Sequence, residues 1–328
     1  MLSNYINKPN IIHSSSDGRK VNVSVDSLHA DYSFKYHGRD KGVTMYTFVD
    51  ERQSLFYSTV FSSSDREATY VIDGLMHNDV SRNQIHSTDT HGYTEQIFAA
   101  THLIGVDFAP RIKNIGHQRL VAFSARRTYE NKGYTLLPNR IVDKKHIVKH
   151  WDDVLRFIAT IKTNHTTASQ LFSRLNSYNK SHPLYKALQE FGRIIKSHFV
   201  LTYYDELPLR QQIQKQLNRI EQTNKFAHAV FFDNDQAFQV GTKEDQQLST
   251  ACQVLLQNAI ILWNYLYLSN LILETADKEQ RAIIIKSIRE GSVITWAHVN
   301  LRGEYDFTKR ARNDPQFDIK KIKALRIR

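Results

Sequence analysis

The chain has 328 residues, 41% apolar and 23% charged, which suits a globular protein of one large or two ordinary domains. Its 44 Lys and Arg against 33 Asp and Glu leave a net charge of +11, which favours a polyanionic partner, nucleic acid first. The single cysteine, Cys252, excludes an intrachain disulfide framework and a cysteine-rich zinc site, and makes a reducing, cytoplasmic setting the default.

The opening MLSNYINKPN holds no apolar run and is not a signal peptide. Residues 11–28 read as a strand from Ile11 to Ser15, a turn at Ser16-Asp17-Gly18, and a second strand alternating Val21, Val23 and Val25. Val43 to Val49 and Leu55 to Phe61 are β-branched and aromatic on both faces and read as central strands. Asp65 to Met76 has helix spacing. His86 to Asp89 reads as a short strand and Thr90-His91-Gly92 as a turn. A helix-like run follows over Tyr93 to Ile104, then an extended run over Val106 to Ile112. Leu120 to Ser124 is one more short strand.

Beyond about residue 140 the spacing is helical almost throughout. It runs through Trp151, Val154, Leu155, Ile158 and Ile161, then Leu184, Leu188, Phe191 and Ile195, then Leu209, Ile213, Leu217 and Ile220. Leu248 to Leu273 carries no charged residue and has the length of a membrane span, but Gln253, Gln257, Asn258, Asn264 and Asn270 interrupt it. It is expected to be a helix buried in a large protein, with Trp263 and Trp296 in the core. Another helix covers Ala282 to Ile288, and Lys309 to Arg328 is a basic tail suited to phosphate contact or to a solubilising end. Strands followed by helices argue for α/β or α+β with a helical addition.

Three carboxylates stand where chemistry can use them. Asp17 lies between strands before Gly18, Asp89 ends a strand before a helix, and Glu221 sits at the edge of the Leu217/Ile220 stripe. Crowded together they would repel and take up protons unless a hard divalent cation held them. Each has a plainer use: Asp17 in a turn pair, Asp89 as a helix cap, Glu221 paired with Lys225 one turn on. His86, Asp89 and His91 could alternatively form a zinc or iron site.

At these residues the sequence resembles the catalytic region of the Tn-three family of transposases. SSSDG at 14–18 resembles the block bearing that family's first catalytic Asp. TDTHGYTEQIFA at 88–99, with LIGVDFAPRI at 103–112, resembles the block bearing the second. FGRIIKSHF at 191–199 and LN-RI-E at 217–221 resemble the region ending at the catalytic Glu, and AIILWN at 259–264 and WAHVNLRGEYDF at 296–307 the closing blocks. The departures are Ile220 where the family carries Gly, Asn224 where it carries His, and His228 where it carries Arg.

The resemblance implies an α/β, RNase H-like mixed sheet with helices over residues 1–308. A helical insertion at about 130–205 would lie between the second Asp and the Glu, followed by a helical C-terminal part and the tail 309–328. It makes Asp17, Asp89 and Glu221 the ligands of magnesium, with manganese as the alternative. Arg111, Lys113, Arg126 and Arg127 would lie against DNA phosphates. It implies metal-dependent cleavage at transposon ends and transfer of the freed 3′-hydroxyl to target DNA, in replicative, cointegrate transposition. The partners would be terminal inverted repeats, target DNA and further copies of the chain, in a bacterial cytoplasm at the nucleoid, with no membrane. Family members are far longer, so the N-terminal DNA-recognition region would lie elsewhere. The rival expectation is a truncated or decayed transposase that only binds DNA or competes for subunits.

Overall fold

The computed structural model describes residues 12–77, 83–230, 237–300, 303–304 and 317–325. Ile11 of the expected first strand, and Lys309, Arg310, Arg312, Arg326 and Arg328 of the tail, lie outside that set. In chain order the early elements are β1 (His13–Asn22), β2 (Asp31–Tyr32), α1 (Phe34–His37), β3 (Lys41–Asp50), β4 (Leu55–Ser62), α2 (Glu67–Met76), β5 (Ile85–Thr88), α3 (Glu95–Ile104), β6 (Asp107–Phe108), β7 (Val121–Ala122), α4 (Arg126–Glu130) and β8 (Arg140–Ile141). Helices follow: α5 (Lys144–Lys149), α6 (Trp151–Lys162), α7 (Ala168–Ser177), α8 (Pro183–Asp205), α9 (Leu207–Val230), α10 (Lys243–Glu274), α11 (Lys278–Glu290) and α12 (Ile319–Ala324).

The expected turn at 16–18 is a correction. β1 runs unbroken through Ser16, Asp17 and Gly18. An Asp-Gly pair makes a turn only where the backbone is left unpaired, and here the hydrogen-bond ladder with β5 holds Ser16 extended. The extended run after α3 shortens to β6, and the one at 120–124 to β7, because only those residues find a strand partner. The alternation at Val21 and Val23 is real and turns both side chains into a core.

The chain folds into two compact units. The first comprises Met1–Ile12, Arg19–Ser64 and Asn218–Arg328. There β3 lies between β2 and β1, and β4 pairs antiparallel with β3 from Val43↔Ser62 to Val49↔Leu55. Val21, Val23, Val43, Met45, Val60 and Phe238 pack into one cluster, and Tyr46, Phe48 and Phe61 bury their rings beside one another. Gln53, at φ 64°, carries the β3–β4 turn. Its buried amide oxygen accepts from Ser292 Oγ (2.7 Å) and the Val293 N–H (2.9 Å), contacts that offset the strain of a left-handed non-glycine residue.

Helix α10 corrects a second expectation. Its buried face is polar: Gln246, Thr250, Gln253, Gln257, Asn264 and Ser269 point inward with Ile261 and Tyr265. Most of these polar groups hydrogen-bond to backbone. Gln253 donates to the Ala227 carbonyl (2.6 Å), Gln257 to Thr223 (3.0 Å), and Asn264 to Val293 (2.9 Å) and Thr295 (2.8 Å). At the margin Asn258 both donates to and accepts from the backbone of Leu55, as a neighbouring strand would. Trp263 is 39% exposed rather than core, and half-buried Trp296 stacks on Phe226 at 5.0 Å. Among the described residues no helix is long and apolar enough to cross a membrane.

The second unit comprises His13–Gly18 and Asp65–Leu217. Here β1, β5 and β6 form a parallel run, in register from His13↔Ile85 to Ser16↔Thr88 and from Ile85↔Asp107 to His86↔Phe108. Helix α3 starts on Thr94, which accepts from the Ile97 N–H, and ends at left-handed Gly105. It packs against α8 so closely that a Cβ at Gly192 would collide with the Glu95 carbonyl. Residues 130–205 hold β8 and the helices α5–α8. Within this stretch the 1%-exposed Glu190 carboxylate is held by Arg140 (2.5 Å), Arg193 and the Asp143 N–H. A buried charge persists only when partnered in this way.

Candidate active site

The register of β1 and β5 places the first two acids. Asp17 follows Ser16, Asp89 follows Thr88, and those two residues are partners on adjacent parallel strands. Neighbouring strands lie roughly 4.8 Å apart, and side chains at matched positions share a face. Asp17, within β1, and Asp89, just past the end of β5, therefore each follow the last paired rung of adjacent strands, both half-buried.

The residues leading to them are fully buried and polar: Ser14, Ser15, Ser16, His86, Ser87 and Thr88. On one face the His86 ring bridges β1, with Nδ1 at 2.8 Å from Ser14 Oγ and Nε2 at 2.9 Å from Ser16 Oγ. Burial, with a smaller contribution from His13, pushes His86 down to about 3. A neutral imidazole donates at one nitrogen and accepts at the other, so the two serines take opposite roles. On the opposite face Ser87 donates to the Ala109 carbonyl (2.7 Å) and sits 2.8 Å from His13 Nε2. These cross-strand bonds lock the register that sets the acids beside one another. With both ring nitrogens engaged by serines, His86 is no metal ligand, so the zinc or iron alternative fails.

Asp89 ends β5 and caps the short 3-10 turn Thr90–Gly92, its Oδ1 accepting from the Thr90 N–H at 2.6 Å. Arg111 reaches the same oxygen through Nε (3.1 Å) and a terminal nitrogen (2.8 Å). Burial alone would raise the Asp89 carboxyl, but the Thr90 N–H and the Arg111 guanidinium outweigh it and hold the group below the ordinary aspartate value. The cap reading and the site reading of Asp89 are thus compatible. Arg111 is pinned because its N–H donates to the Thr88 carbonyl (2.9 Å) and its own carbonyl accepts from Thr90 Oγ1. The resemblance implied Arg111 as a phosphate contact and did not include its pairing with Asp89. Lys113 and Arg127 are exposed, and Arg126 pairs with Glu130 on the surface at 2.8 Å.

Helix α9 is held to the face carrying Asp17 and Asp89. Ser15, two residues before Asp17 and so on the same face, donates to the Gln216 carbonyl at 3.1 Å, and the Gln216 amide donates back to Ser15 Oγ at 3.3 Å. In the first unit the same helix continues with a buried stripe of Ile220, Thr223, Phe226, Ala227 and Val230. Glu221 lies beside that stripe and is exposed, Asn224 is half-buried and His228 exposed. Ile220 is 1% exposed. Among the described residues no group of three or more His, Cys, Asp or Glu is clustered so as to hold a metal ion.

The family model described as the Tn3 transposase DDE domain matches residues 3–305. The chain belongs to this family. It is 36% identical over 295 residues to the transposase for transposon Tn1546 of Enterococcus faecium, covering 90% of this chain and 29% of that one. To the transposase for transposon Tn2501 of Escherichia coli it is 34% identical, covering 95% and 31%. To that of transposon Tn501 of Pseudomonas aeruginosa it is 33% identical, covering 89% and 29%. The family member described here thus spans less than a third of the length of the curated relatives it matches. No solved structure matches it.

Proposed function

We propose that this chain is the catalytic part of a transposase, with an RNase H-like core that cleaves DNA at transposon ends and joins the freed 3′-hydroxyl to target DNA, giving a cointegrate. The observation that carries the reading is the pair Asp17 and Asp89, set side by side by the Ser16↔Thr88 register in a chain whose family is the Tn3 transposase DDE domain. The parallel run β1-β5-β6 and the antiparallel β3–β4 pair supply the strand types that such a mixed core requires.

The donor chemistry fits a hard divalent cation, because both acids offer carboxylate oxygen and His86 is withdrawn from the site. Asp17 and Asp89 would hold magnesium or manganese. Glu221 would be the third acid of the set, as the resemblance to the family implies. When bound, the cation supplies Lewis acidity toward the scissile phosphate and lowers the pKa of an attacking water or hydroxyl. The chain's own residues do the positioning. The serine–histidine row sets the strand register, and the Thr90 N–H fixes the Asp89 carboxylate. Arg111 places a positive charge against Asp89, where it can turn to a DNA phosphate once the acids are neutralised. Homo-oligomers on DNA, a nucleoid location and phosphate contacts at Lys113, Arg126 and Arg127 belong to the same proposal.

The test is nicking of supercoiled plasmid carrying the inverted repeats that flank the gene, in magnesium or manganese. The expected result is metal-dependent nicks that Asp89→Asn abolishes. DNA bound but never nicked, with wild type and variant alike, would overturn the catalytic reading and leave a DNA-binding competitor, which the Ile220, Asn224 and His228 departures would then explain.

A further inference from the structure

Helix α10 is built inside out. Many of its polar side chains face the core of its own unit, while several leucines face solvent: Leu248 is 63% exposed, Leu255 71% and Leu262 47%. With Cys252, Ala259 and Leu266 they recur at steps of four and three residues, the repeat by which one helix presents a seam to another. From Leu248 to Leu266 the seam runs roughly 27 Å along the axis, at about 1.5 Å per residue. No charged residue interrupts Leu248 to Leu273, so the face offers nothing to a phosphate backbone. Beside the seam opens an apolar hollow of about 490 Å³ lined by Val230, Phe238, Val240, Leu248, Cys252 and Leu256, large enough to take a bulky side chain. Half-exposed Trp263 stacks on Tyr267 (5.3 Å) and His298 (5.1 Å), and flat, ordered aromatics of this kind anchor interfaces.

An exposed apolar patch of this length on a soluble fold marks an interface. The relatives that match this chain carry more than two-thirds of their polypeptide outside the matched stretch. We infer that the outer face of α10 is the seat for an apolar helix of that remaining transposase polypeptide, with its largest side chain in the hollow beside Cys252. The inference rests on family membership and on α10, and is independent of whether Asp17, Asp89 and Glu221 cut DNA.

The lone cysteine makes it measurable, because Cys252 is exposed and lies on the seam. The probe is the part of the Tn1546 transposase outside the 295 matched residues, made as a separate chain. Cys252 of the full 328-residue chain is labelled with a maleimide, and its peptide is followed by mass spectrometry with and without the probe. The expected result is at least tenfold slower labelling with the probe, restored to the free rate by Leu255→Glu with Leu262→Glu. Those positions face solvent, so the doubly substituted chain should keep its circular dichroism and melting temperature; if it does not, Trp263→Ala replaces it in the same assay. An unchanged labelling rate with wild type overturns the inference. So does protection that grows with the concentration of this chain alone, which assigns the face to a second copy, or protection by anionic vesicles, which assigns it to a lipid surface.

Discussion

Two rows of buried polar residues invite comparison. In the second unit the row is Ser14, Ser15 and Ser16 with His86, Ser87 and Thr88. In the first it is the inward face of α10, with Gln253, Gln257 and Asn264. The strand row includes side-chain-to-side-chain bonds across a register, His86 to Ser14 and Ser16 and His13 to Ser87, and it ends at Asp17 and Asp89. The helix row is satisfied side chain to backbone, and it ends at the carbonyls of Ala227, Thr223 and Val293. Polar burial therefore does different work in each place. In the strands it ends at two acids; in α10 it joins Ile261, Tyr265 and Ile272 in attaching the helix, while several leucines stay on the outer face.

The sharpest separation should come from the acids. Asp17→Asn or Asp89→Asn should lower plasmid nicking at least ~10³-fold, on the order of what transition-state electrostatics supply, while the melting temperature stays within a few degrees. Asp89→Asn melting as early as a core variant would show that its cap and its Arg111 pair are mainly structural.

Next comes His86→Leu, which removes the ring nitrogens bonded to the hydroxyls of Ser14 and Ser16 and should cost roughly 1–3 kcal/mol in urea unfolding. Adding Ser14→Ala and Ser16→Ala should recover much of that loss, since a jointly apolar patch leaves nothing unsatisfied. Full stability in the single variant would break the contrast between the two rows. In α10, Gln257→Leu leaves the Thr223 carbonyl without its side-chain donor, and Asn258→Ala exposes both backbone groups of Leu55. Each should cost about 1–3 kcal/mol, with nicking per folded molecule unchanged.

The pH dependence follows with its sign. The folded value of His86, about 3, lies below the ordinary 6.5, so the unfolded chain binds the proton first. The contribution is fully present above about pH 6.5 and is lost as pH falls toward 3. About 2 kcal/mol should disappear between pH 7 and pH 5. His86→Gln should flatten that slope. The smallest effect belongs to Arg126→Ala, whose exposed pair with Glu130 is worth well under ~1 kcal/mol.

Much of this was legible along the chain. Val43 to Val49 and Leu55 to Phe61 became β3 and β4, because a strand apolar on both faces must be buried on both. The helix spacing from Trp151 onward became α6, α8 and α9, because a 3.6-residue repeat needs no distant partner to be recognised. Asp89 was visible at a strand end. Contacts between distant segments decided the rest. Whether Asp17-Gly18 turns or stays extended depends on a ladder with residues some seventy positions away, and the partner of Arg111 on a return from the strand after α3. Which face of α10 turns inward could not be read from hydrophobicity at all. The amides found backbone carbonyls to bind, and side-chain identity does not encode where another segment's unmatched carbonyls will lie.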